Sequence, residues 1–256
     1  MGSAALRWRE LLEARAIPAE ILAAAPQDPH RHDPDRFLPP AVPEDTPSRR
    51  TALALLGEQG GTVLDVGCGG GVAGLALVPK VTHLTGADHA DDMLAVFERA
   101  CTERGVAHRT VLGPWPDIAP QAGVADVVVS HHVGYNTVEL GPFVAALGAA
   151  ARRGVVIELH AEHPGGWMDP LWAHFYALHR PPPATAEDAL AVLEEIGIHP
   201  QVQRWSRPRT PRDPEEEVRF SLRRLCLPAE RRAEVAEVVL GLGPRHRDLL
   251  TLSWSG

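Results

Sequence analysis

Apolar residues along this chain follow two rhythms. Thr62–Val66, Val81–Ala87, Ala107–Leu112, Ala125–Ser130 and Gly154–Leu159 are short β-branched runs, hydrophobic continuously rather than alternately. Continuous hydrophobicity predicts strands buried on both faces of a parallel sheet. Between them, Val72–Leu77, Asp91–Arg104 and Leu140–Ala151 read as helices. Strands and helices alternating in this way predict a doubly wound α/β fold, because right-handed crossovers lay the helices on both faces.

The rhythm changes on either side of this block. Ala4–Ala24 reads as one or two helices broken near Pro18, and Ser48–Leu56 as another. Between them Pro26–Pro47 is proline-rich and aperiodic, an extended segment that either drapes over a ligand or trails free. After the fifth strand, His163–Ala184 sets Trp167, Trp172, Phe175 and Tyr176 among prolines and predicts a short helix over the sheet's edge. Thr185–Ile196 is an amphipathic helix, Ile198–Trp205 a strand, Pro214–Leu227 and Pro228–Leu240 two helices, and Asp248–Trp254 a last strand. The expected organisation is a helical and proline-rich cap at residues 1–47. A single α/β domain then spans 48–256, with a helical insertion at 211–241 before the last strand.

Composition narrows the picture only in places. The net charge of −8 opposes a polyanionic partner. The local exception is Gln203–Arg232, with nine Arg against five acidic residues, which reads first as a solvated helical surface. Cys68, Cys101 and Cys226 have no paired spacing, so neither a disulfide framework nor a zinc site is expected. No apolar run reaches the ~18 residues of a membrane span. The N-terminus mixes charged with apolar residues, unlike a secretory leader, so a cytoplasmic protein is expected.

The densest chemistry lies in "TVLDVGCGGGVAGLAL", Thr62 to Leu77. Gly69-x-Gly71-x-x-Gly74, with Asp88 about 20 residues on, spells the dinucleotide fingerprint, which is weak when alone. A second pattern overlaps it: Asp65-x-Gly67-x-Gly69-x-Gly71, with a carboxylate at the strand end. A pyrophosphate wants bare amides at a helix N-terminus, where an acid is repulsive. A nucleoside carrying a sulfonium and an ammonium gains from that acid instead. Glycines let its atoms approach the backbone without a Cβ between.

Through "VLDVGCGGG" and the strand order over roughly Thr51–Val202, the chain resembles the class I S-adenosylmethionine-dependent methyltransferases. The resemblance implies a mostly parallel seven-stranded sheet and S-adenosylmethionine as cofactor. It puts Asp65, Gly67, Cys68, Gly69 and Gly71 in the cofactor turn, and Asp88 of "LTGADHADDML" on the ribose hydroxyls. His89 and Met93 would pack against the adenosine. In "VLGPWPDI" the chain departs from the family: Gly113, Pro114 and Trp115 stand where an adenine-binding acid is common. Pro114 and Trp115 are therefore expected to wall the adenine. The fourth strand of "ADVVVSHHVGYN" would bring Ser130, His131 and His132 near the transferred methyl group.

Methyl transfer is an in-line displacement that needs an aligned nucleophile and somewhere for its proton to go. A histidine is a natural base for an O or N acceptor. In a strand His131 and His132 point to opposite faces, so at most one meets the acceptor. His132 is preferred because it lies farther into the loop, with His131 close behind. Tyr135, Asn136, His160, His163, Trp172 and Tyr176 are candidate substrate contacts, and Arg180 could meet an acidic group. Glu158 and His160 share a strand face, which is compatible with ligation, but the spacing of "ELHAEHP" matches no metal signature, and no metal is expected. The expected partner is a small molecule, with neither nucleic acid nor membrane, and the chain a monomer or homodimer. The alternatives are an RNA or other nucleic-acid methyltransferase, an NAD(P)-dependent oxidoreductase, and a non-catalytic nucleoside-binding protein. The oxidoreductase reading lacks a Tyr-x-x-x-Lys pair, since Lys80 is the only lysine.

Overall fold

The computed structural model describes residues 2–208, 213–242 and 246–256. Residues 209–212, within the arginine-rich run and at the start of the expected insertion, lie outside them. Seven strands form one sheet: β1 Gly61–Val66, β2 Val81–Asp88, β3 His108–Leu112, β4 Ala125–His131, β5 Ala151–His160, β6 Gln201–Pro208 and β7 His246–Trp254. Their order is β3-β2-β1-β4-β5-β7-β6. The first five strands run parallel, and β7 is antiparallel to both β5 and β6. The fold is the mostly parallel, doubly wound α/β sheet that the hydrophobic runs predict.

The helices are α1 Ser3–Glu13, α2 Ala19–Ala23, α3 Pro47–Leu56, α4 Val72–Leu75, α5 Asp91–Glu103 and α6 Ala119–Ala122. α7 Leu140–Ala149, α8 Asp169–Tyr176, α9 Ala186–Glu195, α10 Pro214–Arg224 and α11 Arg232–Gly241 follow. The continuous apolar strands divide between two cores by simple alternation. Leu64, Val66, Val128, Val155 and Ile157 enter one core with Trp8, Phe143, Val144, Leu147 and Leu193. Val63, Val127, Val129 and Val156 enter the other with Ala52, Leu56, Leu94 and Phe97.

α6 is not among the elements expected from the sequence, β5 begins at Ala151 rather than Gly154 and β7 at His246 rather than Asp248. Two further differences bear on the site. β6 begins at Gln201 rather than Ile198, because Ile198 still closes α9 by donating its N–H to the Leu193 carbonyl. α8 packs in a third, wholly helical cluster with Val218, Leu222, Val235 and Val239 of α10 and α11, rather than over the sheet's edge. The helices and the chain after β5 thus build a separate wall above the carboxyl ends of the strands. Open α/β sheets bind ligands at that end. Among the described residues no helix is long and apolar enough to cross a membrane.

Candidate active site

The turn after β1 is held by two carboxylates. Asp65, only 1% exposed, accepts the Gly74 N–H through Oδ2 at 2.8 Å. Gly71 is the N-cap of α4, so this amide belongs to the first turn of the helix. Asp65 therefore takes one amide of the helix N-terminus, and its charge there disfavours a phosphate. Burial pushes its pKa up to about 7; the Gly74 hydrogen bond opposes this rise and the charge of Asp88 adds to it. Asp88, at the end of β2, accepts the Gly69 N–H through Oδ2 at 2.9 Å and the Ala90 N–H through Oδ1 at 3.1 Å. The amides of Gly67 and Cys68 both donate to the Ala87 carbonyl, and that of Gly71 to Cys68. Few amides of the turn remain for a phosphate, while two acids lie beneath it.

Gly67 has φ +68, and an added Cβ would fall 2.4 Å from Val133. At Gly70 a Cβ would fall 2.1 Å from the carbonyl oxygen of Phe37. That second contact shows what Pro26–Pro47 does: the segment is a strap laid across the turn, with a 3-10 turn at Pro34–Phe37. Arg104 from α5 donates to the carbonyls of Pro39 and Pro40. Arg31 pairs with Asp92, and Arg207 of β6 with Glu44.

A cavity of about 2380 Å³ lies between strap, strand ends and helical wall. Asp65, Gly67, Cys68, Gly69, Asp88, His89 and Met93 line it at the turn, beside Pro114 and Trp115. Trp115 is anchored by its Nε1–H, which donates to the Phe143 carbonyl at 3.1 Å. Gly71 is not in the lining; an added Cβ there would lie 3.0 Å from the Phe97 ring, so its smallness serves packing. Ser130 is also outside, because Val129 and His131 take the cavity face and alternation turns Ser130 away. Its hydroxyl donates to the Val66 carbonyl at 3.0 Å.

His131 and His132 both line the cavity, contrary to the alternation argument. His132 follows the last residue of β4 and has φ +64, a left-handed conformation uncommon for a residue with a side chain. That backbone turn brings its ring round to within 6.4 Å of the His131 ring and 4.7 Å of the His160 ring, centroid to centroid. The Nε2 of His132 lies 3.1 Å from Oε1 of Glu158. The Glu158 carboxylate is almost fully buried. Burial alone would raise its pKa, but the hydrogen bond from His132 and the neighbouring imidazoles hold it well below the usual range. An ionised carboxylate only accepts, so the proton between the two groups sits on Nε2. Nδ1 is shielded from solvent and has no hydrogen-bond partner among the described residues.

Burial lowers the pKa of His131 to about 4. It lowers that of His160 to about 3, aided by His132 and Arg247 beside it. Both are neutral at pH 7. Tyr135 and Asn136 lie in a 3-10 turn, Gly134–Asn136, and line the cavity with His160, His163 and Trp172. The Tyr135 hydroxyl is already committed to the His160 carbonyl at 2.8 Å, and its ring stacks on the fully buried Trp8 at 5.4 Å. Tyr176 lies outside the cavity, its hydroxyl donating to the Leu225 carbonyl at 2.6 Å within the helical cluster. Among the described residues no three His, Cys, Asp or Glu side chains converge as metal ligands.

Sequence reasoning weighed Glu158 as a metal ligand or as pocket lining, and missed it as the partner of His132. Strand register pairs His131 with Glu158 across β4 and β5, and the left-handed turn at His132 then brings the next ring to the same carboxylate.

Residues 63–153 match a family model described as a methyltransferase domain. No curated protein sequence matches the chain. Among solved structures, a candidate methyltransferase from Bacillus halodurans C-125 is 16% identical, covers 80% of this chain and 98% of its own, and superposes with a TM-score of 0.54. A structure reported for the conversion of a disulfide bond into a thioacetal group during echinomycin biosynthesis is 16% identical over 88% of this chain and 85% of its own, with a TM-score of 0.53. The YcgJ protein of Bacillus subtilis is 16% identical over 80% of this chain and 95% of its own, with a TM-score of 0.51. At this level of identity the likeness is one of fold.

Proposed function

From a chain whose residues 63–153 form a methyltransferase domain within a fold of the class I type, we propose that the protein transfers a methyl group from S-adenosylmethionine to an O or N nucleophile on a small molecule. The observation that carries this reading is the position of Asp65. Its carboxylate occupies the amide that a pyrophosphate would need at the N-terminus of α4. Together with Asp88 it makes the turn a place for positive charge rather than for phosphate.

Asp65, the Gly67–Gly69 backbone and Asp88 would hold the cofactor, with His89, Met93, Pro114 and Trp115 around its nucleoside. S-adenosylmethionine bound there supplies an electrophilic methyl group on a sulfonium. The chain's own residues do the rest. The strap and the helical wall line the cavity over the carboxyl ends of β4 and β5. Glu158 holds Nε2 of His132, and Nδ1, without a hydrogen-bond partner among the described residues, receives the proton of the acceptor once a small shift of the ring uncovers it. His131 and His160, neutral at pH 7, line the acceptor's path without competing for that proton.

A small acceptor is favoured over nucleic acid by the net charge of −8. Within the arginine-rich run, Arg204, Arg207, Arg231 and Arg232 are each paired with a carboxylate. Incubation of the protein with methyl-labelled S-adenosylmethionine and fractionated cell extract tests the reading. Label should enter the low-mass fraction; label confined to RNA would overturn the choice of acceptor.

The raised pKa of Asp65 gives a pH dependence with a definite sign. Its folded pKa is about 7 against an ordinary value of 3.8. The ligand-free protein therefore loses stability as pH rises from the lower value to the upper, and a cation beside the carboxylate offsets that loss. S-adenosylmethionine should accordingly bind about tenfold more tightly at pH 8 than at pH 6, with the slope flattened in Asp65→Asn. Calorimetric titration at the two pH values checks this.

A further inference from the structure

One end of the cavity is built around arginine. Arg15, which follows α1, is 7% exposed; its Nη groups donate to the Pro181 carbonyl and to the Asp169 carboxylate. Arg180, beyond α8, lies with its guanidinium 4.3 Å from the centroid of the Trp172 ring and donates to the Ala16 carbonyl at 3.3 Å. Arg224, the last residue of α10, donates to the Pro29 carbonyl at 3.0 Å and to Nδ1 of His30 at 3.4 Å. All three line the cavity with His163, Trp167 and Trp172.

Asp169 is the one carboxylate in an ion pair with this group among the described residues, and it is committed to Arg15. Arg180 and Arg224 have carbonyl, imidazole and aromatic neighbours but no ion pair among those residues. The Nε–H groups of Arg15 and Arg180 are buried without hydrogen-bond partners among them. Asp28 and Glu162, the other acids nearby, are exposed. Partly buried guanidinium groups in such surroundings favour an anion that can take two parallel N–H bonds. The field of these arginines is felt at His163, whose pKa falls to about 4 through burial first and then through Arg15, Arg224 and Arg180.

We infer that this end of the cavity receives an anionic group, a carboxylate or a phosphate ester, docked between Arg180 and Arg224. On the methyl-transfer reading, which the inference takes as its premise only for the word acceptor, the acceptor carries that group. Its reacting nucleophile then projects past His163 and His160 toward His132. A neutral acceptor would leave both charges uncompensated, so the site discriminates against amides and esters of the same skeleton.

The test uses the full chain and three probes: benzoate, phenyl phosphate and benzamide, each titrated calorimetrically with and without S-adenosylhomocysteine. One or both anions should bind at least about tenfold more tightly than benzamide. That advantage should shrink to about threefold or less in Arg180→Gln and in Arg224→Gln, with affinity for S-adenosylhomocysteine unchanged. Equal affinities for anions and amide in the wild-type protein would overturn the inference, as would an advantage that survives both substitutions. If one variant does not fold, the other and the wild-type comparison decide. Failure of S-adenosylhomocysteine to bind, with anion preference intact, would overturn the methyl-transfer reading and leave the anion site standing.

Discussion

His132→Ala is expected to lower kcat by about 10²–10⁴-fold, the usual contribution of a positioned general base. KM for the acceptor should change little, because the base acts as the proton leaves rather than in holding the ground state. The expectation rests on three features of one residue. His132 has the left-handed backbone that turns its ring into the cavity, its Nε2 is fixed by a buried carboxylate 3.1 Å away, and its Nδ1 has no competing partner among the described residues. His131→Ala should cost much less, since its ring is held neutral by burial and its Nε2 has no hydrogen-bond partner among the described residues. Glu158→Gln separates positioning from proton uptake. The amide keeps the shape but not the charge that stabilises protonated His132, so the acid limb of the kcat profile should move to lower pH. Steady-state kinetics over pH for the three variants checks all of this. Unchanged turnover in His132→Ala would remove the histidine from the reaction.

Asp88→Ala is the second large effect, and it appears in binding. The substitution deletes the acceptor of two backbone amides, Gly69 and Ala90. A buried amide left unpaired costs about 1–3 kcal/mol, so the turn loses its bracing before any ligand contact is counted. Loss of the carboxylate also removes the acceptor expected for the ribose hydroxyls. Together these should raise Kd for S-adenosylhomocysteine about 10–100-fold and lower Tm by several degrees. Asp88→Asn keeps one oxygen for an amide and should fall between. Calorimetry and thermal denaturation measure the two consequences separately. A variant that melts lower but binds as before would make Asp88 a structural brace alone.

Much of this architecture was legible because burial on both faces leaves a simple trace. Val127, Val128 and Val129 are all apolar, yet Val128 enters one core and its neighbours the other. The glycine turn was legible as a turn, since Gly67, Gly69 and Gly71 all take the positive φ that glycine favours. Legibility failed where position depends on partners distant in sequence. Alternation misplaced His132 because the residue has left the strand, and it was not applied to Ser130, where it holds. Tyr176 read as a pocket residue, but the stripe it shares with Trp172 packs against α10 and α11, which no local pattern announces. Arg180 reads as able to meet an acidic group, but Arg15 and Arg224 join it from separate elements and share no spacing with it that could be read along the chain. Glu158 became legible only once strand order put β5 beside β4.

The central claim is that Asp65 makes the turn after β1 a seat for a positively charged nucleoside without phosphate. Parallel calorimetric titrations of the full chain at pH 8 with S-adenosylmethionine and with NADH test it most directly. Saturable binding of S-adenosylmethionine at about micromolar concentration, with NADH weaker by 100-fold or more, is the predicted result. Tight binding of NADH with no response to S-adenosylmethionine would contradict it.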